Sequence, residues 1–367
     1  MKKMDKNLPY YLGFSHFLGI GPTRFAALIS YFGNVKKAYE AKEKDLKEVI
    51  GAKWAEKFAE FRAGFDPIKK LDELRQKEIL TIACDEKNYP SKLLNIPDPP
   101  ICLYVKGNLN TIDFENGYLI AVVGTRKPTP YGIQIARKFS SELAQSGFII
   151  VSGMAIGIDT TAHWAAIDNG GKTVIVLGCG VDIVYPAINR RLYEKVINDA
   201  GVIISEFPPG QLVEKGLFVA RNRLISGLSM GVVVIEGAED SGALITAKYA
   251  ANQGKEVFAP PAPLTSKMSA APNLLLKQGA KLVISVDDIL EEFNLRIVPK
   301  KKAEMEKELE GEEKIIFEFL QSEPKLSDEI VNLAKLSIDQ VLNVLSILEI
   351  KGIVEKNSEG KYQIKLS

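Results

Sequence analysis

From about residue 79 to 293 the chain alternates short apolar runs, rich in β-branched residues, with longer amphipathic stretches. Strands of a parallel sheet are covered on both faces and therefore read as nearly continuous apolar runs. The runs predict strands at 119–123, 148–151, 174–177, 202–204, 232–235, 257–259 and 282–284. The amphipathic stretches predict helices near 131–146, 157–169, 189–199, 221–229, 242–253 and 287–293. This order predicts a doubly wound α/β domain.

Different patterns flank this region. Residues 8–75 have apolar positions near helical spacing and several turn signals, which predicts a small helical bundle, and short strands follow at 79–83 and 101–106. After a charged stretch, three helices (313–321, 326–334 and 338–351) and a hairpin at 353–363 predict a winged helix-turn-helix. The predicted domains are a helical domain at 1–78, the α/β domain at 79–295, a linker at 296–312 and a winged-helix domain at 313–367.

The composition excludes several classes of protein. Hydrophobic residues make up 46% and charged residues 25% of the chain, and its net charge is +1, so any nucleic-acid surface must be local. The three cysteines match no metal-ligand spacing, and two histidines are too few for a histidine-based metal site. We expect no metal, no cofactor and no membrane span. The odd cysteine count and the lack of a signal peptide favour a cytoplasmic protein.

The first strand of the α/β domain ends in Val123, and Gly124, Thr125 and Arg126 follow before the next helix. Glycine lets a phosphate approach the backbone, threonine offers a hydroxyl, and a helix N-terminus offers free N–H groups. Arg126 would add a bidentate phosphate partner. The spacing does not match the dinucleotide-binding fingerprint. The alternative is a plain glycine turn that carries a solvated arginine.

The second strand ends in Ser152 and Gly153, and its loop enters a further helix through Gly157 and Asp159. Because the carboxyl ends of parallel strands face the same side, this loop should lie beside the first. Two small-residue loops at adjacent strand ends favour a phosphate cradle. We expect Asp159 to cap the helix and His163 to have a structural role, since no nucleophile or carboxylate partner is evident.

The densest cluster consists of Lys215, Phe218, Arg221, Asn222 and Arg223. Cations follow the backbone of a single nucleic-acid strand, and an aromatic ring stacks on any base. This combination favours a surface for single strands. The alternative is that the ring enters the core while the arginines pair with acidic neighbours.

A fourth loop also joins a strand end to a helix. Ser241 and Gly242 suit an anion at the helix start, whereas Glu236, Glu239 and Asp240 would oppose one. The sequence leaves this loop ambiguous.

Two motifs lie outside the α/β domain. The turn at 19–22, followed by Arg24, is similar to that of a helix-hairpin-helix, whose amides can hold a DNA phosphate but which also serves as a packing module. The expected recognition helix of the winged-helix domain is nearly neutral, which favours protein contact over duplex recognition.

Taken in order, these motifs resemble the signatures of the DNA-processing protein A family (DprA, also called Smf), over about residues 79–293. The resemblance implies an extended Rossmann-like fold with a helix-hairpin-helix or SAM-like domain before it and a winged helix after it. It also implies a homodimer that binds single-stranded DNA without turnover and delivers it to a RecA-type recombinase, as in natural transformation. The matching residues include Val123-Gly124-Thr125-Arg126, Ser152-Gly153, Gly157-Ile158-Asp159, Leu177-Gly178-Cys179-Gly180-Val181-Asp182, Tyr185-Pro186, Ser205-Glu206, Pro208-Pro209-Gly210, Arg221-Asn222-Arg223 and Ser241-Gly242.

The resemblance also assigns site residues by position. The phosphate pocket would comprise Gly124, Thr125, Arg126, Ser152, Gly153 and Gly157, and the adjoining strand surface Lys215, Phe218, Arg221 and Arg223. Asn222, Ser241 and Gly242 complete the predicted DNA-binding set. The chain departs from the family where a Val-Pro-Gly turn appears as Pro260-Pro261-Ala262, so the resemblance assigns no contact to the 260–275 loop.

The leading hypothesis is therefore a non-enzymatic protein that binds single-stranded DNA. The alternative is a nucleotide-sensing or nucleoside-monophosphate hydrolase enzyme on the same Rossmann variant, with Glu236 or Glu239 as general acid or base. A third interpretation is a scaffold whose end domains recruit partners.

Overall fold

The computed structural model describes residues 6–295, 309–320, 324–357 and 360–364. The chain divides into two compact units, residues 1–295 and 296–367. The first unit holds both the predicted helical domain and the predicted α/β domain. Residues 296–308, most of the predicted linker, lie outside the described residues, and the boundaries at 78 and 312 remain predictions.

Six short helices precede the sheet. Proline occupies the first turn of three of them, where no N–H is needed, and Asp66 accepts hydrogen bonds from the amides of Ile68 and Lys69 at the start of the last. Phe14 and Phe58 stack in their core with ring centroids 5.0 Å apart. The helices are α1 (Leu8–His16), α2 (Pro22–Phe32), α3 (Val35–Glu40), α4 (Glu43–Ile50), α5 (Ala52–Gly64) and α6 (Pro67–Gln76).

A nine-stranded sheet forms the centre of the first unit. Its strands are β1 (Leu80–Ala83), β2 (Cys102–Gly107), β3 (Leu119–Val123), β4 (Ile149–Ser152), β5 (Thr173–Val176), β6 (Gly201–Ser205), β7 (Gly231–Val234), β8 (Glu256–Ala259) and β9 (Lys281–Leu282). The spatial order is β1-β2-β6-β5-β4-β3-β7-β8-β9. In this spatial order, the seven strands from β6 through β3 to β9 pair in parallel. The strands β2 and β1 are added antiparallel at the β6 edge.

Eight helices accompany the described part of this sheet. They are α7 (Ser91–Leu94), α8 (Pro130–Gln145), α9 (Ile158–Asp168), α10 (Arg190–Lys195), α11 (Lys215–Leu228), α12 (Gly242–Asn252), α13 (Ala270–Lys277) and α14 (Asp287–Glu292). The alternation of parallel strands with helices confirms the predicted α/β, Rossmann-like class. One helix differs from its prediction, because α11 begins at Lys215 and not near residue 221.

Alternate residues of the strands contribute to two hydrophobic cores. Ile175 and Ile203 lie in one core together with Phe14 of the N-terminal helices. Val174 lies in the other, together with Leu224 of α11. Because successive side chains of a strand point to opposite faces, the sheet is covered on both sides. This double burial explains why its strands read as continuous apolar runs.

The winding of the chain reverses between β3 and β7. From β3 the chain passes through α8 to the neighbouring β4, whereas β7, on the other side of β3, continues through α12 to β8. Doubly wound sheets bind their ligands in the crevice at the carboxyl ends of the strands, at such a switch point. The loops that follow β3, β4 and β7 meet there around one cleft.

The described part of the second unit has three helices and a hairpin, as a winged helix requires. These are α15 (Gly311–Leu320), α16 (Ser327–Ala334), α17 (Ile338–Ile350), β10 (Val354–Lys356) and β11 (Tyr362–Ile364). Phe317, Ile330 and Leu345 form its core. The first helix starts two residues before its prediction, and Ser358 and Glu359 of the predicted turn lie outside the described residues. No single helix among the described residues is long and apolar enough to cross a membrane, although α16 and α17, bent by 113°, reach that length and composition together.

Candidate functional site

A cleft of about 770 Å³ lies at the switch point. The loops after β3, β4 and β7 and the first half of α11 form its walls. It brings together most of the predicted site, although these residues come from separate parts of the sequence. The predicted residues that line it are Gly124, Thr125, Arg126, Lys215, Phe218, Arg221, Asn222, Ser241 and Gly242.

Arg126 and Phe218 lie against each other within this cleft. The guanidinium carbon of Arg126 is 5.4 Å from the centroid of the half-buried Phe218 ring. The ring of Tyr185 follows, with its centroid 5.5 Å from that of Phe218 and its side chain 40% exposed. An arginine and two aromatic rings therefore form one continuous, partly exposed surface.

The cleft collects positive charge. Arg126, Lys127 and Lys215 are exposed and line it, and in the described part of the chain none of the three has a carboxylate within ion-pair distance. Asp240 is an exposed acid in the lining, and Asp159 a buried one. The balance favours an anionic ligand.

Arg221 supports the floor of the cleft. It is only 4% exposed, and its guanidinium donates hydrogen bonds to the carbonyls of Gly153, at 3.0 Å, and Val176. Burial lowers the pKa of this guanidinium to about 10, against the opposing effect of Asp159. Arg221 therefore joins α11 to the ends of β4 and β5 and brings a buried positive charge under the cleft.

Asp159 holds the loop after β4. Its carboxylate accepts hydrogen bonds from the amides of Gly153, at 3.1 Å, and Ala155, at 3.4 Å. Burial raises the pKa of Asp159, while Arg221 opposes that rise. The prediction that Asp159 caps α9 is wrong, because the N-cap residue is Gly157 and Asp159 lies within the first turn.

Gly157 and Gly124 are required by the backbone packing of this site. Gly157 has φ +93°, and a Cβ there would lie 2.5 Å from the carbonyl oxygen of Thr125. A Cβ on Gly124 would lie 2.6 Å from Ile158 at the start of α9. These glycines allow the loops after β3 and β4 to touch. For Gly124 this close packing explains the need for glycine, and the sequence alone did not reveal it.

The structure does not bring every predicted residue to the cleft. Ser152 is fully buried, and its hydroxyl donates to the carbonyl of Val122 at 2.7 Å. Gly153 and Gly157 are not in the lining of this cleft, but Gly153 lines a smaller pocket of about 50 Å³ together with Arg126, Tyr185 and Phe218. The prediction that Ser152, Gly153 and Gly157 contact a phosphate stays a prediction.

Arg223 points away from the predicted surface into a buried ion pair. It is 3% exposed, its Nε lies 2.7 Å from a carboxylate oxygen of Asp98, and it donates to both carboxylate oxygens of Glu206. Burial would lower the pKa of Arg223, but Glu206 and Asp98 raise it overall. Arg223 is therefore paired with acidic neighbours, as the alternative interpretation of the cluster predicted. The proposed contact surface does not include Arg223.

Glu236, the candidate general acid or base of the enzyme alternative, is fully buried. Its carboxylate accepts hydrogen bonds from the amide of Thr129 at 2.9 Å and from the Thr129 hydroxyl at 2.6 Å. Thr129 in turn caps α8, accepting from the amide of Gly132. Glu236 therefore fixes the start of α8 and does not line the cleft, while Glu239 is exposed outside the cleft lining.

The start of α12 forms a further wall of the cleft. Ser241 is its N-cap residue, and its hydroxyl accepts a hydrogen bond from the amide of Ala243 at 3.3 Å. Asn222 donates from its side chain to the carbonyl of Gly242 at 3.4 Å, which links α11 to α12. A helix N-terminus here adds positive potential to the cleft.

Sequence reasoning left Tyr185 and Lys127 out of the site. Tyr185 was noted only as part of a signature, followed by Pro186 after a cis peptide bond. Its position beside Phe218 depends on the packing of the loop after β5 against the helix α11, so no local pattern could have revealed it. Lys127 directly follows Arg126, and its charge was the signal that could have been used.

His163 has the structural position expected of it. It is fully buried, and its Nδ1 lies 2.6 Å from the hydroxyl of Thr173. Burial lowers the pKa of His163 to about 3, and the Arg221 charge acts in the same direction. Within the described ranges, no group of three or more histidine, cysteine, aspartate or glutamate side chains could hold a metal ion.

Known proteins resemble the chain in sequence over this same region. The sequence profile described as DNA recombination-mediator protein A matches residues 80–294. This chain belongs to that family. A second profile, of the DprA winged helix domain, matches residues 300–360. The C-terminal unit thus has both the elements and the sequence of that domain.

Relatives in this family cover much or nearly all of the chain. Protein Smf of Synechocystis sp. is 35% identical over 391 residues, which covers 96% of this chain and 98% of the relative. The structure of DNA processing protein A from Streptococcus pneumoniae superimposes with a TM-score of 0.68 at 35% identity, covering 79% of this chain and 98% of that one. A Helicobacter pylori DNA processing protein A, solved for its single-stranded DNA binding mode, has a TM-score of 0.53 and 30% identity, over 59% of this chain and 96% of that one.

Proposed function

We propose that this protein binds single-stranded DNA in the cleft and transfers it to a RecA-type recombinase during DNA processing in natural transformation. One observation carries the binding proposal: Arg126, Phe218 and Tyr185 form a continuous cationic and aromatic surface at the switch point of the sheet. Exposed Lys127 and Lys215 extend its positive charge. Cations of this kind bind the phosphates of a single strand, and aromatic rings stack on its bases.

The chemistry of the surface favours a polymer without sequence selection. The cations would follow the phosphates, and the Phe218 and Tyr185 rings would stack on bases, whose π-faces are common to all sequences. A duplex hides those faces. The name of the Helicobacter pylori relative, which states single-stranded DNA binding, supports the same class of ligand.

The competing function is hydrolysis of a mononucleotide. It needs a general acid or base near the ligand, and the buried Glu236 is held by Thr129. This favours binding without turnover. A cleft of about 770 Å³ has room for one nucleotide, so a free nucleotide remains the ligand against which the proposal is tested.

The recombinase and a homodimer rest on the family resemblance, and a cytoplasmic location rests on the cysteine content of the sequence. Family membership supports a mediator role, since the matching profile is described as a recombination-mediator protein. Transfer predicts that the protein speeds the assembly of a RecA-type filament on DNA already covered by single-strand-binding protein.

The proposed homodimer has its own test. Light scattering at several protein concentrations measures the number of subunits, and a mass of one chain at every concentration would contradict the dimer.

The decisive experiment measures fluorescence anisotropy of a labelled oligo-dT at several salt concentrations. We expect binding that weakens with salt and a large loss in Arg126→Ala. The matched control is Arg137→Ala, which removes an exposed arginine of α8 outside the cleft lining and should leave affinity unchanged.

Competitors separate the two ligand classes. Unlabelled oligo-dT should displace the probe well, whereas duplex DNA and AMP should not. Displacement by AMP at low concentration, or equal loss of binding in both arginine variants, would contradict a strand-binding cleft.

A further inference from the structure

A second cationic and aromatic surface lies on the N-terminal helices, outside the cleft. The half-buried indole of Trp54 on α5 has three exposed cations around it. The guanidinium carbon of Arg24 is 4.7 Å from its ring centroid, and the ammonium nitrogens of Lys53 and Lys57 are 5.6 Å and 6.0 Å away. We call these four residues the Trp54 cluster.

The turn at 19–22 packs directly on this indole. A Cβ on Gly19 would lie 2.4 Å from the Trp54 ring, so only glycine permits the approach. Arg24 donates from its guanidinium to the carbonyl of Gly19 at 3.3 Å, and the turn leads into α2, which has no side-chain cap. The helix-hairpin-helix-like turn and the cations therefore belong to one surface.

The three cations of the cluster, Arg24, Lys53 and Lys57, are not engaged in ion pairs within the described residues. Glu56 and Glu60 are exposed on the same helix but form no such pair. Cation–π contacts at exposed sites are weak, so they offset the mutual repulsion of three like charges only in part. An external anion would relieve it.

We propose that the Trp54 cluster is a second binding surface for the phosphodiester backbone of nucleic acid, independent of the cleft. Three cations fixed around one flat ring match successive phosphates along a chain better than a single small anion. The uncapped start of α2 adds positive potential beside them. The ligand chemistry is shared by single and double strands, and the experiment separates the two.

The test uses the full-length chain with the cleft disabled by Arg126→Ala and Lys215→Ala. In that background, Arg24→Gln, Lys53→Gln and Lys57→Gln together remove the cluster charges. The matched control replaces Lys37, Lys44 and Lys69 by glutamine: these are exposed lysines of the neighbouring helices α3, α4 and α6, with no ion pair or ring contact among the described residues. Labelled oligo-dT and a labelled duplex of equal length are the probes.

We expect the cluster variant to lose residual binding relative to its control. The slope of log affinity against log salt should become shallower by about 2 for oligo-dT, since three phosphate contacts are lost at about 0.7 each. A larger loss with the duplex than with oligo-dT would assign the surface to double strands, and the reverse to single strands. Equal binding by the cluster variant and its control would overturn the proposal, whatever happens at the cleft.

Trp54 also provides a direct signal. The sequence contains two tryptophans, so Trp164→Phe leaves Trp54 as the only indole. Its emission should change when oligo-dT or duplex is added to the cleft-disabled protein, which a purely structural indole would not do. A change with poly-glutamate and none with either nucleic acid would identify an acidic protein ligand and overturn the proposal.

Discussion

The guanidinium carbon of Arg126 lies 5.4 Å from the centre of the Phe218 ring, which joins the loop after β3 to the helix α11. The ring itself lies 5.5 Å from that of Tyr185. A charge that can hold a phosphate is thus placed beside a ring that can hold a base. The two roles can be separated experimentally, because one depends on salt and the other does not.

Phe218→Leu should weaken oligo-dT binding without changing its salt dependence. Base stacking on one aromatic side chain contributes about 1–3 kcal/mol, so the dissociation constant should rise by roughly ten-fold or more. No charge is removed, and the slope of log affinity against log salt should therefore stay the same. Anisotropy titrations at four or so salt concentrations measure both quantities.

Phe218→Tyr is the matched control for this change, since it keeps an aromatic face. It should bind nearly as well as the unchanged protein. If Phe218→Leu and Phe218→Tyr bind equally, the ring does not stack on a base.

Lys215→Gln, unlike Phe218→Leu, should change the salt dependence of oligo-dT binding. This exposed lysine lines the cleft, and losing one phosphate contact should make the salt slope shallower by about 0.7. The loss should be the same for oligonucleotides of different sequence. Lys138→Gln, an exposed lysine of α8 outside the lining, should leave the slope unchanged, and a shared effect would indicate only the net charge of the protein.

Arg223→Met should lower stability and leave DNA binding intact. The buried guanidinium pairs with Glu206 and Asp98, and removing one partner of a buried ion pair costs about 3–5 kcal/mol because the remaining charge is left uncompensated. Urea unfolding followed by circular dichroism measures the loss. Titration of the folded variant with oligo-dT tests whether DNA binding is intact. Weak binding by a variant of unchanged stability would mean that Arg223 contacts the DNA.

The strands could be predicted from the sequence nearly to the residue. β3 was predicted at 119–123 and spans Leu119–Val123, because a run of apolar residues buried on both faces is bounded by polar residues and glycine. The start of α11 was missed by six residues. Gly216 is a poor helix former close to the start of α11, so the local sequence gives little indication that the helix begins at Lys215.

The site could be predicted only as a set of loops. Arg221 and Arg223 are two residues apart, yet one supports the cleft and the other pairs with Glu206 and Asp98. The acids that decide this lie far away in the sequence and are brought near only by the sheet. For the same reason the sequence located the loop of Ser152 but not the direction of its hydroxyl.

Glu236→Gln should destabilise the protein without altering any nucleotide turnover. The carboxylate accepts from both the amide and the hydroxyl of Thr129, whereas a glutamine offers one acceptor oxygen and a competing NH₂ group. A buried donor left without a partner costs about 1–3 kcal/mol, which thermal unfolding should detect. Hydrolysis of AMP by the unchanged protein that disappears in Glu236→Gln would instead support the enzyme alternative.

The two histidines should make the protein sensitive to mild acid. Burial lowers the pKa of His16 to about 4 and that of His163 to about 3. In the unfolded chain both bind a proton near pH 6.5, so below that pH the unfolded state holds more protons than the folded state. The free energy of unfolding should therefore fall as the pH drops from about 6.5, by up to about 1.4 kcal/mol per pH unit for each histidine.

Urea unfolding between pH 7 and pH 5 measures this slope, above the range where most carboxylates titrate. His163→Gln should remove about half of it, because His16 then remains as the only histidine of the sequence. Adding His16→Gln should flatten the profile in this window, even where the double variant is less stable at every pH. A double variant with the slope of the unchanged protein would mean that the imidazoles are charged in the folded state, and that other groups cause the acid sensitivity.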